Sequence, residues 1–167
     1  MLIQRLTEQD LTWLSNFFIE HWGSNIIIVH QGIFTPDALE GFTAREGNDL
    51  LGVITFTIAG SVCEIVTINA MEQRKGIGTL LLAEVIKTAH VRGCSSIILT
   101  TTNDNMIALE FFQKRGFHLV EIRPGAVDQA RFIKPEIPLT GIHDIPIHDE
   151  LDLEFLLELA QMHPDKQ

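Results

Sequence analysis

The order of predicted elements indicates an α+β domain with a mixed central sheet flanked by helices. Between residues 41 and 70, three strand-like segments are separated by short turns at 47–49 and 59–61, which is typical of an antiparallel meander. Two helix-like segments follow, at 77–92 and 105–115, and each ends at a glycine. Each is followed by an apolar strand-like run, so helices and strands alternate in the second half of the chain.

Hydrophobic periodicity and turn residues place the individual elements. The predicted strands are 2–6, 26–29, 41–46, 50–58, 62–70, 97–101 and 117–122, and the predicted helices are 7–22 (with the N-cap and first turn at 7–10), 77–92 and 105–115. Residues 30–40 and 123–146 are predicted to be loops because glycine and proline interrupt them. Residues 151–162 fit either an amphipathic segment or a strand followed by a helix, and both interpretations stay open.

The charge distribution argues against a nucleic-acid partner. The 167 residues carry a net charge of −10, and residues 136–167 contribute eight acidic residues and one lysine to it, a net −7. No basic stripe is present that could neutralise phosphates. The acidic segment is either a solvated surface or a region that attracts a cationic amine.

Cysteine use and hydropathy predict a soluble, cytoplasmic protein. Cys63 and Cys94 show no disulfide or metal-ligand spacing, so we expect buried free thiols in a reducing compartment. No apolar run reaches the roughly 20 residues that span a bilayer, and the first residues lack a signal-peptide pattern. The His-Asp pairs at 143–144 and 148–149 fit surface positions better than ligands, so no metal is expected.

A glycine-containing turn precedes the helix at 77–92. It reads Gln73-Arg74-Lys75-Gly76-Ile77-Gly78 and joins a strand to a helix N-terminus, where free backbone N–H groups and the helix dipole favour a phosphate. A dinucleotide fingerprint requires a small residue where Leu81 stands, and the P-loop pattern is not matched. The turn therefore predicts a phosphate ligand of another kind.

The turn resembles the Gln/Arg-x-x-Gly-x-Gly/Ala acetyl-CoA loop of the GNAT family of N-acetyltransferases. Downstream, the pattern Asn105-x-x-Ala108-x-x-Phe111-Phe112-x-Lys114-x-Gly116-Phe117 is similar to that family's second signature, Asn-x-x-Ala-x-x-Phe-Tyr-x-Lys-x-Gly-Phe. The resemblance implies a single domain of the GNAT acyl-CoA N-acyltransferase fold over 1–167, with a core at 1–122 and a C-terminal loop and extension at 123–167. It also implies acetyl-CoA as the co-substrate.

The resemblance further implies how coenzyme A is held. Amides from Arg74 to Thr79 would bind the pyrophosphate, and the side chain of Arg74 or Lys75 would bind either the pyrophosphate or the 3′-phosphate. The strand at 62–70 would splay from the strand at 97–101, so that its exposed backbone pairs with the pantetheine arm. Asn105 would contact that arm, cap its own helix, or do both. The implied cofactor-binding residues are Ile68, Ala70, Gln73, Arg74, Lys75, Gly76, Ile77, Gly78, Thr79 and Asn105.

The sequence predicts some of the catalytic groups but no proton donor for the leaving thiolate. The resemblance implies that the Ile68 amide polarises the thioester carbonyl, but Phe112 replaces the tyrosine that commonly protonates the leaving thiolate, and the chain contains no tyrosine. Glu64 is the candidate general base because it lies inside an apolar strand, where burial would raise its pKa. Strand alternation places it on one face with Val66 and Ile68. It is alternatively a solvent-facing charge or an ion-pair partner.

The acceptor is expected to be an amine of a small molecule or of a protein. Thr101 and Arg131 are candidate substrate contacts, the latter for an acceptor carboxylate. Because the tyrosine is missing, a non-catalytic CoA-binding sensor is the alternative function, and a longer acyl-CoA is a further possibility. A homodimer is possible because dimers are common for this fold.

Overall fold

The structure is a computed structural model, and it describes residues 1–29, 32–72 and 75–157. Within them, seven strands form one sheet, a short hairpin lies beside it, and helices complete the domain. The strands are β1 Leu2–Arg5, β2 Ile27–Val29, β3 Gly32–Phe34, β4 Glu40–Glu46, β5 Asp49–Ala59, β6 Val62–Ala70, β7 Ser96–Thr102, β8 His118–Arg123 and β9 Glu150–Leu156. The α-helices are α1 Leu11–Trp22, α2 Ile77–Val91, α3 Met106–Gln113 and α4 Ala126–Ala130, and single 3-10 turns lie at Glu8–Asp10, Pro36–Ala38 and Ile142–Asp144.

The sheet is mixed, as the sequence predicts. Its strand order is β1-β4-β5-β6-β7-β9-β8, with β6 and β7 parallel and the other neighbours antiparallel. The C-terminal strand β9 lies inside the sheet, between β7 and β8, and the Leu153 side chain on it is fully buried. Among the two interpretations of 151–162, the strand holds for the part that the structure describes.

Two predicted loops contain regular elements. Residues 30–40 include β3, which pairs with β2 in a hairpin, and 123–146 include helix α4. Both predictions are wrong in part because a three-residue strand or a five-residue helix is too short to show a hydrophobic period. Among the described residues, no helix has the length and apolar character needed to cross a membrane.

The two faces of the sheet carry separate apolar cores. On one face, here called the α2 face, helix α2 buries the predicted stripe of Ile77, Leu81, Val85 and Ala89. On the other, here called the α1 face, helix α1 and strand β2 pack against the sheet around Val53. Cys63 and Cys94 are buried free thiols, as predicted.

A bulge in β6 reverses its side-chain alternation. The register with β5 shifts between Thr55 and Phe56, which leaves Val66 as an extra residue in β6. Glu64 therefore lies between two side chains of the α2-face core and points to the α1 face, whereas Ile68 packs into the α2-face core. The prediction that Glu64 and Ile68 share a face is wrong, because an extra residue exchanges the two faces of the strand beyond it.

Candidate active site

Strands β6 and β7 separate at their carboxyl ends. They pair only from Val62 to Ile65 on β6, opposite Ser96 to Leu99 on β7. Beyond this point β6 continues to pair with β5, up to Ala70. The second half of β6 thus has a backbone edge that no described strand covers, and this is the splayed geometry that the sequence resemblance implied.

Backbone alternation directs two amides of β6 into this gap. The Met71 N–H donates to the Leu51 carbonyl on β5 at 2.9 Å. Because alternate residues of a strand direct their backbone N–H and C=O groups to the same side, those groups of the other odd-numbered residues near Met71 also face β5. A Cβ built on Gly52 of β5 would lie 2.8 Å from the Asn69 carbonyl oxygen, which agrees with this direction. The N–H and C=O groups of Ile68 and Ala70 therefore point away from β5, toward β7.

A cavity of about 650 Å³ opens beside the gap. It lies between the end of β6, the start of α2 and one side of α3, and it brings together seven of the ten predicted coenzyme-binding residues. These are Ile68, Ala70, Gly76, Ile77, Gly78, Thr79 and Asn105. Gln73 and Arg74 lie outside the described residues. Lys75 is not among the described lining residues, and its ammonium forms an ion pair with the Glu72 carboxylate.

Helix α2 begins at the cavity wall. Gly76 precedes it with φ = 76°, a left-handed conformation that glycine adopts without steric cost. The Gly76 carbonyl accepts the Leu80 N–H at 3.1 Å, which is the first hydrogen bond of the helix. The N–H groups before Leu80 therefore have no acceptor within the helix. A Cβ on Gly78 would lie 3.2 Å from the Phe111 ring, so this glycine lets α2 pack closely against α3. Together the two glycines place a helix N-terminus at the cavity.

Arg115 is a cavity residue that the sequence analysis did not single out. Its guanidinium lies 3.7 Å above the Phe111 ring, donates from Nη1 to the Phe111 carbonyl at 2.8 Å, and donates from Nη2 to Thr79 Oγ1 at 2.6 Å. It therefore ties the first turn of α2 to α3 and places a positive charge in the cavity wall. Arg115 lies inside the second signature, and this position could have indicated it as a candidate cavity residue.

Two asparagines lie beside the cavity, and one of them contributes its amide group to it. Asn105 Oδ1 accepts the Ala108 N–H at 3.1 Å and thus caps α3, so a ligand contact from this side chain would come from Nδ2. Asn69 pairs with Val53, so its side chain lies on the α1 face, away from α2 and α3. Its Oδ1 is buried and has no hydrogen-bond partner, which is energetically costly.

Glu64 belongs to an acidic cluster on the α1 face. Burial, and secondly the negative charge of Asp152, raise the pKa of the half-buried Glu64 carboxyl to about 7. Asp152 on β9 accepts the Thr100 hydroxyl at 2.7 Å and forms an ion pair with Arg123 on β8. Arg123 also approaches Glu150, with Nε 3.5 Å from Oε2. A carboxyl with a pKa near neutrality can exchange a proton at physiological pH.

Comparison with known proteins identifies the family. The model of the Acetyltransferase (GNAT) family matches residues 8–117, well over half of the chain. The chain belongs to the GNAT acetyltransferase family. It is 45% identical over 139 residues to the uncharacterized protein YdhI of Bacillus subtilis (83% of this chain, 87% of YdhI). It is also 34% identical over 86 residues to the uncharacterized N-acetyltransferase YvbK of the same organism (50% of this chain, 56% of YvbK).

Solved structures share the GNAT fold. An acetyltransferase from Bacillus subtilis in complex with CoA superimposes with a TM-score of 0.65 at 23% identity, covering 92% of this chain and 97% of the other. A GNAT acetyltransferase from Elizabethkingia anophelis with acetyl-CoA bound gives a TM-score of 0.66 at 23% identity, covering 93% and 97%. The sheet and flanking helices described above are thus those of GNAT acetyltransferases, and family membership supports acyl transfer as the chemistry.

Thr101 and Arg131 are not among the described residues that line the cavity. Thr101 pairs with Leu151 and shares a face of the sheet with the buried Leu99, on the α2 face opposite Glu64. The Arg131 guanidinium donates to the carbonyls of residues 137, 138 and 147 and forms an ion pair with Asp128. It holds the segment between β8 and β9 together, which uses the donors that an acceptor carboxylate would need.

Phe112, at the position of the family's tyrosine, is buried in the α2-face core and also borders the cavity beside the β6–β7 gap. Its ring packs edge-on against Phe111 and Phe117, with centroids 5.0 and 5.1 Å away. The position therefore serves packing and supplies no proton. The described residues contain no group of three or more His, Cys, Asp or Glu side chains that could hold a metal ion.

Proposed function

We propose that this protein is an acetyl-CoA-dependent N-acetyltransferase that moves an acetyl group to a primary amine of a small molecule or protein by direct attack. The observation that carries the proposal is the gap between β6 and β7. It places inward-facing amides of β6, a helix N-terminus and a cavity of about 650 Å³ at one end of the sheet.

Bound acetyl-CoA would supply an acetyl group activated as a thioester. The amides at residues 77–79, with Gln73, Arg74 and Lys75 beside them, would bind its phosphates, since a helix N-terminus and cations both favour an anion. The backbone of Ile68 and Ala70 would pair with the pantetheine arm as an added strand, and Asn105 would contact it. The Ile68 N–H would donate to the thioester oxygen, where negative charge develops during attack.

Glu64 would act as the general base. The attacking nitrogen must be neutral and must lose a proton as the C–N bond forms and the C–S bond breaks. A carboxylate with a pKa of about 7 accepts that proton directly or through a water molecule. Direct attack is favoured over a cysteine intermediate, because burial raises the pKa of Cys63 to about 12 and keeps it a thiol.

Turnover and binding measurements together test the proposal. Acetyl-CoA binding is measured by calorimetry, and CoA release is followed with a panel of primary amines at pH 8, where Glu64 is ionised. Micromolar binding with amine-dependent CoA release supports an enzyme. Tight binding without release on any amine would instead support the CoA sensor, the function that the missing tyrosine motivates.

A further inference from the structure

A second cavity, of about 640 Å³, lies on the α1 face, beside the acidic cluster. Its walls come from the β2–β3 hairpin, the end of β8 and helix α4, and Glu150 of β9 also lines it. Eight of the twelve described lining residues are apolar: Ile28, Val29, Ile33, Ile122, Pro124, Ala126, Ala130 and Ile133. A pocket with this composition suits an apolar ligand body.

Strand register places this cavity at the reacting end of the sheet. Arg123, at the end of β8, pairs with Glu150 at the start of β9, and Glu150 pairs with Thr102 at the carboxyl end of β7. Strand β6 runs parallel to β7, so its end at Ala70 lies toward the same edge. The apolar cavity and the splayed gap are therefore at the same end of the sheet, and Glu64 faces the side on which the apolar cavity lies.

Part of the apolar wall is accessible to solvent. Two of its side chains keep more than half of their surface exposed: Ile33 at 59% and Ile133 at 66%. A ligand that covers them gains roughly 25 cal/mol for each Å² of apolar surface removed from water. Hydrophobic contact would therefore supply much of the affinity for a ligand in this cavity.

The cavity is poorly suited to a ligand with a carboxylate or a phosphate. Among its described lining residues the single cation is Arg123, whose guanidinium is engaged by Glu121, Glu150 and Asp152. Glu150 is itself a lining residue and only 4% exposed. An acidic group on the ligand would face this carboxylate without a cation to bind it, and such like-charge contacts are costly.

We propose that the acceptor occupies this cavity and is an amine carried on an apolar skeleton, without a carboxylate or phosphate group. The proposal rests on the proposed function, and it specifies the acceptor class. The apolar body would lie against Ile33 and Ile133, and the acidic surroundings would attract the amine in its cationic form before it loses a proton.

A matched pair of amines tests the class. 2-Phenylethylamine and phenylalanine share a ring, a chain and a primary amine, and phenylalanine adds a carboxylate. We expect kcat/KM for 2-phenylethylamine to exceed that for phenylalanine by roughly tenfold or more. An equal or higher value for phenylalanine overturns the proposal, and it leaves the acetyltransferase function standing.

A matched pair of variants tests the cavity. Ile133→Asn makes the wall polar without adding a charge, whereas Leu139→Asn makes the same change at a 73% exposed position that is not among the described lining residues. Calorimetric binding of 2-phenylethylamine to the CoA-saturated protein should weaken roughly tenfold in Ile133→Asn and stay unchanged in Leu139→Asn. This measurement needs no turnover. If the protein binds the amine in this way but does not acetylate it, the proposed function fails while the cavity assignment stands. No binding, or equal weakening in both variants, overturns the assignment.

Discussion

The carboxylate of Asp152 lies on the same sheet face as Glu64 and raises the pKa of Glu64, in addition to the effect of burial. Asp152 is held in place by the Thr100 hydroxyl and by Arg123. A strand near the C-terminus thus tunes the proton affinity of a residue almost 90 positions earlier. This relationship connects the sheet order to the proposed chemistry, because β9 lies beside β7 and β7 lies beside β6.

Replacing Asp152 should shift the pH profile of the reaction. With Glu64 as the base, kcat/KM rises with pH through about 7, since the ionised carboxylate is the active form. Asp152→Asn keeps an oxygen acceptor for Thr100 but removes the charge, so the midpoint should move to lower pH. Glu46→Gln, which removes an exposed carboxylate from β4, should leave it in place. A profile that Asp152→Asn does not shift contradicts the coupling. All variants are compared on the same amine, so its own ionisation cancels.

Replacing Glu64 should separate catalysis from coenzyme binding. Glu64→Gln preserves size and hydrogen bonding but cannot accept a proton at the pH of the assay. We expect kcat to fall by about 10²–10⁴-fold, the usual contribution of general base catalysis, with little change in acetyl-CoA affinity. An unchanged kcat would remove Glu64 from the mechanism, and a parallel loss of acetyl-CoA affinity would indicate a structural role.

The same substitution should change the pH dependence of stability. The Glu64 pKa is about 7 in the folded chain and near 4.5 when unfolded, so the folded state binds more protons between these values. The free energy of unfolding therefore decreases as pH rises from about 4.5 through about 7. We compare the free energy of unfolding of Glu64→Gln with that of the native chain, measured by urea unfolding. The difference between them should shift by about 1–3 kcal/mol in favour of the variant between pH 4 and pH 8. A constant difference across this range contradicts the raised pKa.

Removing Arg115 should weaken coenzyme binding. Arg115→Gln takes away a positive charge from the cavity wall and the bond to Thr79 at the start of α2. We expect the Kd for acetyl-CoA to rise roughly tenfold, equivalent to about 1.4 kcal/mol. Lys87→Gln, on the exposed surface of α2 and away from the cavity, is the matched control and should have no effect. Equal Kd values for the two variants would argue against a role for Arg115.

Removing the buried amide oxygen of Asn69 should stabilise the fold. Its Oδ1 has no hydrogen-bond partner, so Asn69→Leu removes a buried polar atom without breaking a hydrogen bond to it. Thermal unfolding should show a gain of about 1 kcal/mol, and acetyl-CoA affinity should stay unchanged because the side chain lies on the α1 face, away from the cavity beside α2. Loss of stability would show that the Asn69 side chain has a packing role.

Much of the proposed coenzyme site could be predicted because its residues are close together in the sequence. The glycine turn and the start of α2 are adjacent in the sequence, and the end of β6 that separates from β7 directly precedes them. The second signature places Asn105 and Phe112 on one short helix. The proposed acceptor cavity could not be predicted in this way, because its walls come from a hairpin near the N-terminus and from segments after residue 121. The sequence places Thr101 at the end of a strand and Arg131 in a loop, but it does not show what their side chains contact.

The fold class, the family resemblance and the predicted phosphate turn all follow from local sequence patterns, because hydrophobic periods and glycine spacing extend over a few residues. The face that Glu64 occupies depends on strand pairing, since a single extra residue in β6 exchanges the two faces and no local pattern predicts that residue. Strand pairing also decides the surroundings of Glu64. The insertion of β9 between β7 and β8 brings Asp152 to the same sheet face, a long-range pairing that no local pattern specifies.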